Sequence, residues 1–138
     1  MTSVRLPGMV VESEGEGPPV IMLHGLGGTS NSFQPLLPPL AGFRIVRPDL
    51  PGAGRSPTPP QQITVALLVQ AVADAAAHLG VNRAHVVGHS FGTLIAQHIA
   101  ARLPNAWRAS RCLARSSSRR IRRANGCASA PRSHDTRA

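Results

Sequence analysis

Ser90 stands in Gly88-His89-Ser90-Phe91-Gly92, directly after the apolar run Ala84-His85-Val86-Val87 and before a helix-like stretch from Thr93 to Ala101. A serine flanked by glycines two positions away, on a strand-to-helix turn, is the pattern of a nucleophile elbow. The turn is so tight that the flanking positions must be nearly free of side chain, and Gly88 and Gly92 meet that need. The chemistry such a serine can do is attack on an acyl carbon, with a helix N-terminus behind the hydroxyl.

The elements that must position it alternate along the chain. Met9-Val10-Val11 reads as a short strand leading to the turn Glu14–Pro19. Val20–Leu23 is a continuous apolar run, as in a buried parallel strand, and Phe43–Arg47 reads as the next strand. Between them, Phe33, Leu36, Leu37 and Leu40 have helical spacing, but Pro35, Pro38 and Pro39 make that helix short or broken. The clearest helix runs from Thr64 to Leu79, with Leu68, Val72, Ala75 and Leu79 on one face and Gly80 as its stop. Ala84–Val87 is the third core strand, and Ser90–Arg102 is the helix after it, closed by Leu103-Pro104. Strands alternating with helices predict an α/β fold with a parallel sheet.

Three motifs fall at the junctions in order: His24-Gly25-Leu26-Gly27-Gly28, Asp49-Leu50-Pro51-Gly52-Ala53-Gly54-Arg55-Ser56, and the Ser90 turn. Together they resemble the α/β-hydrolase family, especially its small esterase, lactonase and non-haem haloperoxidase-like members such as 3-oxoadipate enol-lactonase. The resemblance covers residues 8–105. It implies acyl transfer from a small ester or lactone to water. Ser90 is the expected nucleophile, and the backbone N–H groups of Leu26 and Phe91 are the expected oxyanion hole. His24 is assigned to substrate contact, with loop-shaping as the alternative. Asp49 reads as a loop-fixing aspartate, because the family order is serine, then acid, then histidine.

Neither a cofactor nor a metal is expected. His85 and His89 straddle a strand and a turn, so they share no helical face for zinc. Gly25–Ser30 followed by Asp49 mimics a dinucleotide fingerprint, but Ser30 holds the third glycine position and Pro35 interrupts the supporting helix. His78 and His98 read as helix histidines. Cys112 and Cys127, with fourteen residues between them, fit no zinc or redox spacing.

A serine nucleophile needs a base, and the base an orienting acid. Downstream of Ser90 the chain offers His98, His134 and Asp135. His98 lies two turns into the elbow helix, and His134-Asp135 has the wrong order. The expected fold is therefore the N-terminal half of an α/β-hydrolase sheet, truncated, with its Ala84–Val87 strand left at an open edge.

The 138-residue chain carries a net charge of +9, unevenly placed. Residues 1–105 hold six arginines against five carboxylates, and residues 106–138 hold nine arginines against Asp135. That second segment lacks periodicity and is expected to be an Arg-rich unstructured tail. Its codons suggest why. Read one base earlier, Ala106–Cys112 with CGN and TCN codons becomes apolar-Ala-x-apolar-x-apolar, a strand pattern where the resembling family has a strand. A frameshift near Asn105–Ala106 is the reading that follows. Two competing functions remain: a binding protein whose basic tail contacts nucleic acid or an acidic surface, and a non-catalytic hydrolase-like scaffold. Against nucleic acid, the tail has no aromatic besides Trp107 to stack on bases. With 42% apolar residues, no membrane-length apolar run and no secretory h-region, the chain reads as soluble and cytoplasmic.

Overall fold

A computed structural model describes residues 1–103 in full and the backbone of 107–113. Six strands form one sheet: β1 (Thr2–Leu6), β2 (Met9–Glu14), β3 (Pro19–Leu23), β4 (Arg44–Asp49), β5 (Ala84–His89) and β6 (Trp107–Leu113). Their spatial order is β1-β2-β4-β3-β5-β6. β4, β3, β5 and β6 run parallel, whereas β1 and β2 are antiparallel additions at one edge. The sheet is therefore mixed rather than wholly parallel. The tight turn at Pro7-Gly8, with Gly8 at φ 76°, sends the chain straight back, and a hairpin can only be antiparallel.

Two helices follow the expected boundaries, α1 (Val65–His78) and α2 (Phe91–Arg102). Thr64 caps α1 by accepting the Leu67 N–H at 3.1 Å. Leu68, Val69, Val72, Ala75 and Ala76 of α1 are buried. The proline-rich segment after β3 forms two short 3-10 turns, Ser30–Leu36 and Pro38–Leu40. Their geometry tolerates the prolines that forbid a long α-helix.

Strand alternation divides the core. Ile21 and Leu23 of β3, with Val46 and Val86, face α1 and α2 in the larger cluster. Val20 and Met22, with Ile45, face Phe33 of the 3-10 turn in a smaller one. β3 is hydrogen-bonded on both sides and buried on both faces, which is why it reads as an unbroken apolar run.

The sheet does not stop at residue 105. β6 pairs in parallel with β5, from Ala84 opposite Trp107 to His89 opposite Leu113. This corrects the expected open edge at Ala84–Val87. Strand pairing is made by backbone N–H and C=O groups, so a free edge can take up a segment whose side chains carry no strand signal. The remainder of the expected tail, 114–138, lies outside the described residues, as do His134, Asp135 and Cys127. Among the described residues, no helix is long and apolar enough to cross a membrane.

Candidate functional site

β5 ends at His89 and α2 begins at Phe91, so the whole reversal is made at Ser90. Its backbone sits at φ 53°, ψ −118°, the lone positive-φ non-glycine among the described residues. Such a conformation costs about 1–3 kcal/mol and persists only where its surroundings enforce it. The surroundings here are close-packed backbone. A Cβ on Gly88 would stand 2.6 Å from the Thr93 nitrogen, and one on Gly92 would meet the Leu23 and His24 carbonyls. Thr93 N–H donates to the Ser90 carbonyl at 3.0 Å, and the Thr93 hydroxyl donates to the Gly88 carbonyl at 3.2 Å. The Ser90 side chain makes no capping bond to α2 and is exposed, leaving its hydroxyl uncommitted at the positive end of the helix.

The loop after β3 comes up against Ser90. A Cβ on Gly25 would lie 3.0 Å from Ser90 Cβ and 3.4 Å from Ser90 Oγ, so the absence of a side chain is what allows the approach. Among the described residues, the N–H groups of Leu26 and Phe91 have no acceptor. Leu26 itself is 82% exposed. It borders two clefts. One, of about 290 Å³, is lined by Leu26, Phe33, Leu36 and Ser90. The other, of about 180 Å³, is lined by Leu26, Leu50, Ile63, Leu68 and Phe91. A larger groove of about 620 Å³ lies away from Ser90, between the β1–β2 hairpin, the 57–61 loop and α1.

What holds the loop comes from the end of β4. The buried His24 ring is engaged at both nitrogens: Nε2 accepts the Leu50 N–H at 3.0 Å, and Nδ1 lies 2.8 Å from the Gly25 carbonyl. Nε2 as acceptor makes Nδ1 the donor, which is the neutral tautomer. No ring nitrogen is left for a substrate hydrogen bond, and the loop-shaping alternative matches this geometry. Asp49 accepts the Ser30 N–H at 2.7 Å through Oδ1, and the Arg55 N–H at 3.1 Å and Nε at 3.0 Å through Oδ2. Burial pushes this carboxyl up, but the bonds from Ser30 and Arg55 outweigh it and hold it below the usual carboxylate range. Asp49 is thus a loop-fixing residue, as its position before the serine in the chain implies.

Three further charged residues complete this scaffold and carry no motif. Arg47, fully buried, donates to the Ser30 carbonyl at 3.0 Å and to Gln34 Oε1 at 3.1 Å, and pairs with Glu14. Arg55 pairs with the buried Glu12 at 2.6 Å. The signal available in the sequence was parity. Arg47 falls two residues from Ile45 and two from Asp49, on the inward phase of β4, where a charge demands partners.

Other candidate residues are not gathered at the site. His98 lies eight residues beyond Ser90 on α2, about 12 Å along the axis at 1.5 Å per residue. Its Nδ1 lies 2.9 Å from the Leu94 carbonyl, a bond within its own helix. His78 makes the same local bond to the Asp74 carbonyl. His89 lines the larger cleft beside Ser90, but no described side chain is hydrogen-bonded to Ser90 Oγ. Among the described residues, no group of three potential metal ligands occurs.

Comparison with known proteins places this arrangement. A family profile described as alpha/beta hydrolase fold matches residues 18–112. A pimeloyl-[acyl-carrier protein] methyl ester esterase from Chromobacterium violaceum is 46% identical over 99 residues, which is 70% of this chain and 37% of that protein. The magnesium-chelatase 30 kDa subunit of Rhodobacter capsulatus is 37% identical over 91 residues, 64% of this chain and 32% of the relative. Among solved structures, an epoxide hydrolase from Vigna radiata superposes with a TM-score of 0.74 at 30% identity, covering 80% of this chain and 38% of its own. The chain therefore spans roughly a third of the length of the curated relatives it matches.

Proposed function

The chain belongs to the α/β-hydrolase family, and from that premise we propose that it carries the nucleophile and oxyanion hole of a site acting on a small ester or lactone. Ser90 is the nucleophile. The Leu26 and Phe91 N–H groups receive the oxyanion that forms when its oxygen adds to the carbonyl carbon. The observation that carries the reading is the strained Ser90 backbone, which presents an uncommitted hydroxyl 3.4 Å from where a Gly25 side chain would be. Backbone strain at one exposed serine has no packing benefit of its own, and on this reading it serves to present the hydroxyl beside the loop and helix start that carry the two unbonded N–H groups. Each such donor contributes about 3–4 kcal/mol to the transition state. The Leu26 N–H lies on the loop held by the His24 and Asp49 bonds and the Phe91 N–H at the start of α2, so as backbone groups they need no reorganisation as charge develops. The dipole of α2 acts in the same sense.

His24 serves this reading by setting the loop. Its neutral ring ties the Gly25 carbonyl to the Leu50 N–H, fixing the peptide that precedes Leu26. Turnover also requires a base for the Ser90 proton, and the described residues place none within reach of it. The similar esterases are named for methyl ester hydrolysis, which agrees with ester chemistry at this serine.

The test is a fluorophosphonate probe followed by intact mass and peptide mapping. Wild type is expected to take up one equivalent at Ser90, slowly because no base is placed beside it, and Ser90→Ala none. Absence of the Ser90 adduct after prolonged exposure, or equal labelling of the alanine variant, overturns the nucleophile assignment.

A further inference from the structure

We propose that the groove between the β1–β2 hairpin, the 57–61 loop and α1 binds a small primary amine with an apolar body, its ammonium on the Asp74 carboxylate and its body against a wall of prolines. The inference does not depend on Ser90. Of the residues lining the groove, only Pro51 also lines the cleft of Leu26 and Phe91, and none lines the cleft that holds Ser90.

One wall is a ridge of α1. Gln70, Asp74 and His78 follow one another at four-residue spacing, so they share a helix face, and all three line the groove. The bonds among them consume donors and leave acceptors. Gln70 Nε2 donates to Asp74 Oδ1 at 2.8 Å, and the Gln70 carbonyl oxygen remains an acceptor. His78 Nδ1 lies 2.8 Å from the Asp74 carbonyl oxygen and must be the donor there, so Nε2 of the neutral ring is an acceptor too. Asp74 is exposed and, among the described residues, pairs with no cation.

The rest of the lining is largely apolar, with Leu6 from the hairpin and the prolines Pro7, Pro51, Pro57, Pro59 and Pro60. A proline ring offers methylene surface on a backbone of fixed φ, and it has no N–H to give an anion. At about 620 Å³ the groove falls within the ~300–1,000 Å³ of small-molecule sites, in which apolar walls hold the body of a ligand and a few polar groups orient it.

Charge decides the class of ligand. Among the described residues, Asp74 is the one lining side chain with a formal charge when His78 is neutral. An anion would meet this carboxylate and the acceptors beside it. A neutral alcohol has a single hydrogen bond to donate. An ammonium group has three donors and the opposite charge, so it can satisfy the carboxylate and a neighbouring acceptor of the ridge together. One carboxylate calls for one cationic group, and the proline wall calls for an apolar remainder.

The test is an NMR titration of the full chain with hexylamine, hexanol and hexanoate. Hexylamine is expected to bind about three- to fivefold more tightly than hexanol, the margin of one exposed ion pair, and hexanoate more weakly than either. The backbone signals of Leu6, Met9, Leu67 and Ala71 should shift, and those of Gly25–Gly28 should not. From butylamine to hexylamine, affinity should rise about two- to fourfold per methylene. Asp74→Asn, an exposed and nearly isosteric change, should bring hexylamine and hexanol within about twofold of each other. Gln70→Glu, which sets a second carboxylate on the ridge, should strengthen hexylamine binding by about two- to fivefold and leave hexanol unchanged. No saturable shift in the groove, equal binding of amine and alcohol by wild type, or an unchanged ratio in Asp74→Asn overturns the proposal. Shifts confined to Gly25–Gly28 overturn it as well, because they put the amine beside Ser90 instead.

Discussion

Replacing Ser90 by glycine and, separately, by alanine isolates the backbone strain at the elbow. Both changes remove the hydroxyl, which caps nothing in α2, and the exposed side chain leaves no cavity. They differ in what they do to φ 53°, ψ −118°. Alanine keeps the Cβ and therefore the strain of about 1–3 kcal/mol. Glycine relieves it but costs about 0.4–1 kcal/mol through the greater freedom of its unfolded chain. The difference leaves Ser90→Gly more stable than Ser90→Ala by about 1 kcal/mol, or roughly 3–5 °C in Tm for a domain of this size. Glycine outranks alanine at an ordinary helix N-cap as well, where it is still a few tenths of a kcal/mol less stable than serine, so the diagnostic is the comparison with wild type: relief of the strain should leave Ser90→Gly at least as stable as the serine it replaces. Urea unfolding of wild type and both variants, followed by circular dichroism in one buffer, measures it. A glycine variant less stable than wild type would refute the argument that the turn is strained, and with it the reason for singling out Ser90.

Other perturbations follow from the same geometry. Gly92→Ala should destabilise by about 1–3 kcal/mol despite alanine's helix preference, because its Cβ would stand 2.8 Å from the His24 carbonyl oxygen; a denaturant midpoint at or above wild type contradicts this. Asp49 is held below the usual carboxylate range, so its contribution to stability is fully present above the unfolded-chain value near ~3.9 and is lost as pH falls through the lower folded value. Asp49→Asn should accordingly flatten the acid limb of a Tm-against-pH curve, while lowering stability at neutral pH by about 1–3 kcal/mol, since one of its donors then faces an N–H₂ group. Thr64→Ala should cost about 1 kcal/mol through loss of the α1 cap, read in the same unfolding assay.

The parts of the fold legible in the sequence are those where local chemistry and tertiary role coincide. β3 is an apolar run because the sheet buries it on both faces, while β5 buries Ala84, Val86 and Gly88 on one face and leaves His85 and Val87 half-buried on the other. α1 is bounded by Thr64 and Gly80 because a capping oxygen and a left-handed residue solve the same end problems in any helix. The Ser90 turn was legible because two glycines are the visible trace of a backbone collision. β1 was not read as a strand: Thr2–Leu6 is a mostly exposed edge whose partner is chosen by the Pro7-Gly8 turn. β6 was not read either, since its pairing is decided by the free backbone edge of β5 rather than by its own composition.

At the site, the sequence by itself singled out the tight turn at Ser90 and the loop that approaches it, because glycine spacing around Ser90 and after His24 is a local steric requirement. It did not determine what His24 touches, how Arg47 is neutralised, or which side chains line the space beside Ser90. Those depend on partners far apart in the chain: the Leu50 N–H for His24, Glu14 and the Ser30 carbonyl for Arg47, and Phe33, Leu36 and Ile63 for the clefts. A buried hydrogen bond or an exposed apolar wall is a relation between elements, and only the folded sheet, bringing the ends of β3, β4 and β5 together, creates it.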